Sequence, residues 1–251
     1  MNQQNIGVIR EIEIINYINE KTFYSKMNLN MQNFLKYIFK FDLSNITIKA
    51  YKFHENYKPD IVIIANGVKK YISIKTGSNN SIHQEHFYSF LNFLKNSIHN
   101  EEFIDILKEF HFNDGTIDGT GNDRKSAIDF QTYNQDKIQK INCMLNNEKI
   151  LKNLIERLLF KGEYHNIPLV DYIYYGNIEE GLWASKEEII NYLLNTKIYS
   201  ASPHVSKLYY QSLHRNLKYD INYEYRRYYV QFKWHSIKED IKYISKKRKK
   251  E

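Results

Sequence analysis

Residues 58–77 read Lys58-Pro-Asp-Ile-Val-Ile-Ile-Ala-Asn-Gly-Val-Lys-Lys-Tyr-Ile-Ser-Ile-Lys-Thr-Gly77, and the way this stretch pairs decides the fold. Asn66-Gly67 between two runs rich in Val and Ile predicts a β-hairpin, because both central residues of its tight turn need positive φ. A two-residue loop pairs Ala65 with Val68 and so sets Asp60 opposite Ser73. Cross-strand partners project from one face of a sheet, and Lys75, two residues on, returns to that face. A carboxylate, a hydroxyl and an ammonium therefore meet at one end of an otherwise apolar hairpin. Charge beside a buried sheet is costly unless it is paired or binds a metal. Asp60, Ser73 and Lys75 form a candidate active site.

The flanking sequence extends the pattern. Val8, Ile12, Ile15 and Ile18 recur at helical spacing and predict an amphipathic helix over residues 5–21, interrupted by Glu11 and Glu13. A second helix is expected around 32–40 and a strand over 46–53. After the hairpin, Ser81 with Gln84 three residues later reads as a capping box, so a helix should start there with Phe87, Leu91, Leu94 and Ile98 as its buried stripe. Glu85 would fall at the end of its first turn. His83 and His86 read as surface or capping residues, since the single Cys143 leaves no thiolate set for zinc. Leu169–Tyr175 is the best later strand, and Ser185 with Glu188 forms a second capping box for a helix to 195.

Pro-Asp, a strand turn and then Ser-Ile-Lys resemble the signature of the PD-(D/E)XK nuclease superfamily, which includes many restriction endonucleases. The resemblance implies an α/β fold: a restriction-endonuclease-like αβββαβ core with a central mixed sheet. Residues 1–99 and 164–197 would make the core, with a helical insertion over 100–163 and a β-rich, basic and aromatic extension over 198–251 that binds DNA. It also implies a Mg²⁺ cofactor, double-stranded DNA as substrate and a homodimer. Asp60 would hold the metal and Lys75 would orient or help deprotonate the attacking water. Ser73 departs from the pattern, standing where a second acid is expected. The resemblance offers two replacements, Glu85 from the following helix and Glu11 from the first helix, as metal ligands with a catalytic role. Gln84 would support them. Gln84-x-x-x-Tyr88 after Lys75-Thr-Gly is similar to the trailing motif of RecB-like nucleases, so an exonuclease stays open. A catalytically inactive nucleic-acid-binding protein on a nuclease fold stays open too.

Composition agrees with a nucleic-acid partner. The chain of 251 residues carries a net charge of +7, with 22 Tyr and 14 Phe, which favours a polyanion. One cysteine rules out a disulfide framework within the chain and suits a reducing compartment. The start MNQQNIG lacks the regions of a signal peptide and no apolar run approaches a membrane span, so a cytoplasmic protein without a membrane partner is expected. Residues 114–126 form the one glycine-rich loop, but Arg124 stands where a P-loop needs glycine, and its acids are misplaced for an EF-hand. Read as a flexible loop, it offers Arg124 and Lys125 to DNA phosphates. Strands are expected over 207–214 and 225–235, where Arg215, Arg226, Arg227 and Lys233 would bind nucleic acid beside stacking aromatics. Lys246–Lys250 reads as a solvated basic tail.

Overall fold

The computed structural model describes residues 6–54, 57–77, 81–163, 168–213 and 221–248. In chain order its elements are α1 (Ile6–Lys21), α2 (Leu29–Phe39), β1 (Ile48–Lys52), β2 (Ile61–Ala65), β3 (Val68–Lys75), β4 (Ser81–His86), α3 (Phe87–Ser97) and α4 (Glu101–Phe112). There follow α5 (Ala127–Tyr133), α6 (Gln135–Leu145), α7 (Glu148–Glu156), β5 (Tyr172–Tyr175), β6 (Leu182–Ser185), α8 (Lys186–Leu194), β7 (His204–Val205), β8 (Leu208–Ser212), β9 (Tyr229–Lys233) and α9 (Ile237–Arg248). The fold is mixed α/β. Among the described residues no helix is long and apolar enough to cross a membrane.

Two compact units share the chain. The first comprises Met1–Asn80, Leu159–Tyr192 and Ser236–Glu251, and the second Ser81–Leu158 with Leu193–His235. The expected helical stretch over 100–163 does carry α4 to α7, but the second unit that holds them begins at β4. The residues over 198–251 divide between the units, because α9 belongs to the first.

In the first unit a five-stranded sheet has the order β1-β2-β3-β5-β6, with β3 and β5 parallel and the other pairs antiparallel. The hairpin forms as its turn residues require: Asn66 and Gly67 have φ of 50° and 74°, and Ala65 pairs with Val68. A parallel pair cannot be closed by a tight turn and needs a long crossover. Here the crossover contains the first segment of the second unit. Ile61, Ile63, Ile72, Ile74, Tyr172 and Tyr174 alternate onto one sheet face and join Ile14, Ile18, Met31, Phe34, Leu35 and Ile38 of α1 and α2 in a continuous core. Each such side chain contributes roughly 1.5–3 kcal/mol by leaving water. Asn28 caps α2 by accepting from the Met31 amide at 2.8 Å. The capping box at α8 forms in both directions, Ser185 N donating to Glu188 and Glu188 N to Ser185 Oγ.

The buried stripe of α1 differs from expectation. Ile14 and Ile18 are its buried residues, while Ile12 is exposed. Glu11 lies three residues before Ile14 and so extends the inward stripe rather than flanking it.

In the second unit β4-β9-β8-β7 form an antiparallel sheet. The expected helix start at Ser81 is replaced by β4. Its backbone pairs with β9, as in Gln84 with Gln231 and His86 with Tyr229, and the helix begins only at Phe87. The capping-box pattern is local, whereas strand pairing supplies partners some 150 positions away and buries alternate side chains. Pairing wins. The anticipated stripe Phe87, Leu91, Leu94 and Ile98 is buried once α3 starts. The expected strand over 225–235 shortens to β9, preceded by a 3-10 helix over Ile221–Tyr228.

Candidate active site

The hairpin brings Asp60, Ser73 and Lys75 together as its register requires. All three lie on the sheet face opposite the one packed by α1 and α2, because the alternate residues Ile61, Ile72 and Ile74 belong to the core. The backbone of Asp60 is held in line: its amide donates to Ile72 O at 2.9 Å and its carbonyl accepts from Phe53 N at 2.9 Å. Its side chain is held more tightly still. Oδ2 accepts from Ser73 Oγ at 2.9 Å, from the Ile74 amide at 2.5 Å and from Lys75 Nζ at 3.3 Å. Lys75 Nζ also donates to Ile74 O at 3.1 Å. All three donors meet one oxygen, and Oδ1 has no partner among the described residues. Ser73 is fully buried, whereas the side chains of Asp60 and Lys75 keep 22% and 20% of their surface exposed. Ser73 thus orients the carboxylate without facing solvent.

Tyr175, which pairs with Lys75 across the parallel ladder, lies on the same face. Its hydroxyl donates to Gly77 O at 3.1 Å, and burial, then Glu239, pushes its pKa up. Sequence reasoning did not single it out. The register of β5 on β3 was the missing signal.

The nuclease resemblance implies Mg²⁺ at this site. Mg²⁺ takes one or two carboxylates, keeps several waters and accepts substrate phosphate oxygens. Asp60 Oδ1 fits the one-carboxylate arrangement. Among the described residues no group of three His, Cys, Asp or Glu side chains is placed to hold a metal. Glu11 is not among the hydrogen-bonded partners of Asp60, and α1 covers the other face of the sheet.

Glu85 is a correction. It lies on β4 in the second unit, 1% exposed, and both of its oxygens are occupied. Arg157 grips it in a fork, Nε to Oε1 at 3.1 Å and Nη2 to Oε2 at 2.5 Å, while His83 Nε2 lies 2.9 Å from Oε1. Burial pushes the Glu85 pKa up, but the hydrogen bonds of His83 and Arg157 outweigh it and hold the pKa below the usual value. A carboxylate bound in this way is an internal ion pair, not an open metal ligand. Gln84 points the other way along β4 and is exposed, so it does not support Glu85. Arg157 was not recognised from sequence, since 72 residues separate the pair.

Several basic candidates also have structural work. Arg124 donates to the carbonyls of Phe112, Leu213 and His111 at 3.0, 3.2 and 2.9 Å, which closes the end of α4. Burial, then the neighbouring Arg227, pulls its pKa down to about 10. Arg227 donates to Gly119 O and Gly121 O and lies 4.0 Å from the Asp114 carboxylate. Both guanidiniums are thus engaged with backbone carbonyls of the second unit. The glycine-rich loop they hold is a built turn: Asp114 accepts from the Thr116 hydroxyl at 2.7 Å and from the Gly121 amide at 3.1 Å. Lys125 is exposed, Arg226 and Lys233 are partly so, and Arg215 lies outside the described residues. Lys246 and Lys247 are exposed in the last turn of α9, while Arg248 is bound to Glu188 at 2.6 Å. Lys249 and Lys250 lie outside the described residues.

No protein-family model and no curated protein matches the sequence.

Proposed function

We propose that the protein is a Mg²⁺-dependent endonuclease of the PD-(D/E)XK type that hydrolyses double-stranded DNA, in the manner of a type II restriction enzyme. The observation that carries this reading is the Asp60 carboxylate, anchored through Oδ2 by Ser73, Ile74 and Lys75, with Oδ1 unpartnered among the described residues. The order α1, α2, β1-β2-β3 and then a parallel β5 supports the same core. Asp60 would hold the cation through Oδ1; Glu11, on the helix that covers the opposite sheet face, is not placed to join it. When bound, Mg²⁺ shields the phosphate charge and makes a bound water more acidic. Lys75, fixed by Asp60 and the Ile74 carbonyl, would orient the attacking water, and Ser73 would keep the carboxylate from turning. A homodimer belongs to this reading and is checked by sedimentation.

A second reading is favoured by one observation: with Ser73 buried and Glu85 held by Arg157, Asp60 is the one carboxylate in the hydrogen-bonded cluster. The protein would then bind nucleic acid without cutting it. Incubation with supercoiled plasmid in Mg²⁺ or EDTA separates the two. Discrete Mg²⁺-dependent bands support restriction, and a smear supports an exonuclease or a nonspecific nuclease. Intact plasmid with protein that still binds DNA would overturn the endonuclease reading.

A further inference from the structure

The sheet of the second unit has one buried face and one partly exposed face, on which Tyr225 meets Tyr229 edge-on at 6.2 Å and Tyr228 stacks on His86 at 6.2 Å. His83, Glu85, Tyr210, Ser212, Val230 and Phe232 make the buried face, all at most 8% exposed. The alternate residues form three cross-strand rows on the other side. Gln84, Gln231 and Gln211 are directly paired across β4, β9 and β8. To one side of this amide row lie Ser81, Lys233 and Tyr209, and to the other His86 and Tyr229. Gln84, Gln211 and His86 are exposed, and Tyr209, Tyr229, Gln231 and Lys233 are partly exposed. Gln231 is steadied by a 2.9 Å bond to Ser81 Oγ. Tyr229 meets His86 edge-on at 5.3 Å, and Tyr209 lies 5.3 Å from His235.

We infer that this face binds single-stranded DNA, with bases stacked on Tyr229 and Tyr209 and their edges read by the glutamine row. The choice of DNA rests on the function proposed above; the choice of an unpaired strand does not. Chemistry decides the class of partner. The one aliphatic side chain in these rows, Leu213 opposite Tyr229, is buried, which disfavours a hydrophobic protein partner. The face carries amides, each able to donate and accept, between aromatic rings. Charge points the same way: Lys233 stands on the face with no carboxylate in the three rows. Shape decides between duplex and single strand. The major groove admits an α-helix or a two-stranded ribbon. The rows span three of the sheet's four strands at about 4.8 Å per step, and stacking needs base faces that a duplex keeps covered.

The test is fluorescence anisotropy in EDTA with a fluorescein-labelled 20-nucleotide DNA of mixed sequence, its duplex, and the RNA of the same sequence. The single-stranded DNA should bind tightest. Tyr229→Ala and Tyr209→Ala should each weaken it by about tenfold, with circular dichroism and melting unchanged. Gln211→Ala at an exposed position and Lys233→Ala at a partly exposed one should weaken it too, the latter with a shallower salt dependence, again with circular dichroism unchanged. Tyr199→Ala, fully exposed and outside the sheet, should bind as wild type. Tighter binding of the duplex or the RNA, or unchanged binding by the four face variants, overturns the inference. Asp60→Ala separates it from the nuclease reading: binding kept with cleavage absent even in wild type sinks only the nuclease, and cleavage kept with insensitive face variants sinks only this surface.

Discussion

Asp60, just before β2, and Glu85, on β4, are two carboxylates held in opposite ways by their surroundings. Asp60 is bound through one oxygen at a partly exposed strand end; Glu85 is bound through both in a closed interior. On the nuclease reading, Asp60→Asn should remove plasmid cleavage while the melting temperature stays within a few degrees. Ser73→Ala deletes a buried hydroxyl bond and should cost about 1 kcal/mol, read by denaturant unfolding, with cleavage reduced but present. Glu85→Gln breaks a buried pair and should cost about 3–5 kcal/mol, because Arg157 is left buried and uncompensated. The double change Glu85→Leu with Arg157→Met should recover much of that loss, since both charges are then gone. The pH dependence follows with a definite sign. The folded pKa of Glu85 lies below its ordinary value of about 4.5, so its stabilisation is complete above that pH and disappears as pH falls through the folded value. Acid unfolding of wild type should steepen below about pH 4.5, and Glu85→Gln should lack that increment.

At the scale of elements, local signals were reliable where the partner is near in sequence. Asn66-Gly67 specifies its turn by backbone sterics alone, and Ser185 with Glu188 makes its box within one turn of α8. Ser81-x-x-Gln84 carries a similar local signal but becomes β4, because β9 offers a backbone ladder and a buried face for His83 and Glu85. The glycine-rich loop is misread for the same reason. Its glycines look permissive, yet at Gly119 an added Cβ would lie 2.6 Å from the Phe112 ring, and φ is +82°. Gly119→Ala should accordingly destabilise the second unit by about 1–3 kcal/mol, measured as a lower urea midpoint. Arg124 follows the loop into the interior, where it serves three carbonyls.

For the whole molecule, the informative element is α9, which returns the last part of the chain to the first unit. Ile237, Ile241 and Ile244 are buried, and Arg248 binds Glu188 at 2.6 and 3.0 Å while lying 3.9 Å over the Tyr37 ring. A protein ending at residue 235 should lose the folding transition of the first unit, with the second still resisting proteolysis. A single, wild-type-like transition in that truncation would show α9 to be dispensable. By itself the sequence determined the hairpin, the facing of Asp60, Ser73 and Lys75, and a strand near 172–175, because positive φ, the twofold strand period and apolar runs act over a few residues. Only the tertiary structure decided that Glu85 belongs to Arg157, that Arg124 and Arg227 hold the loop, and that Gln84, Gln231 and Gln211 form one row. Those outcomes depend on partners up to about 150 residues apart, and no local pattern encodes which distant group will satisfy a buried charge or an unpaired strand.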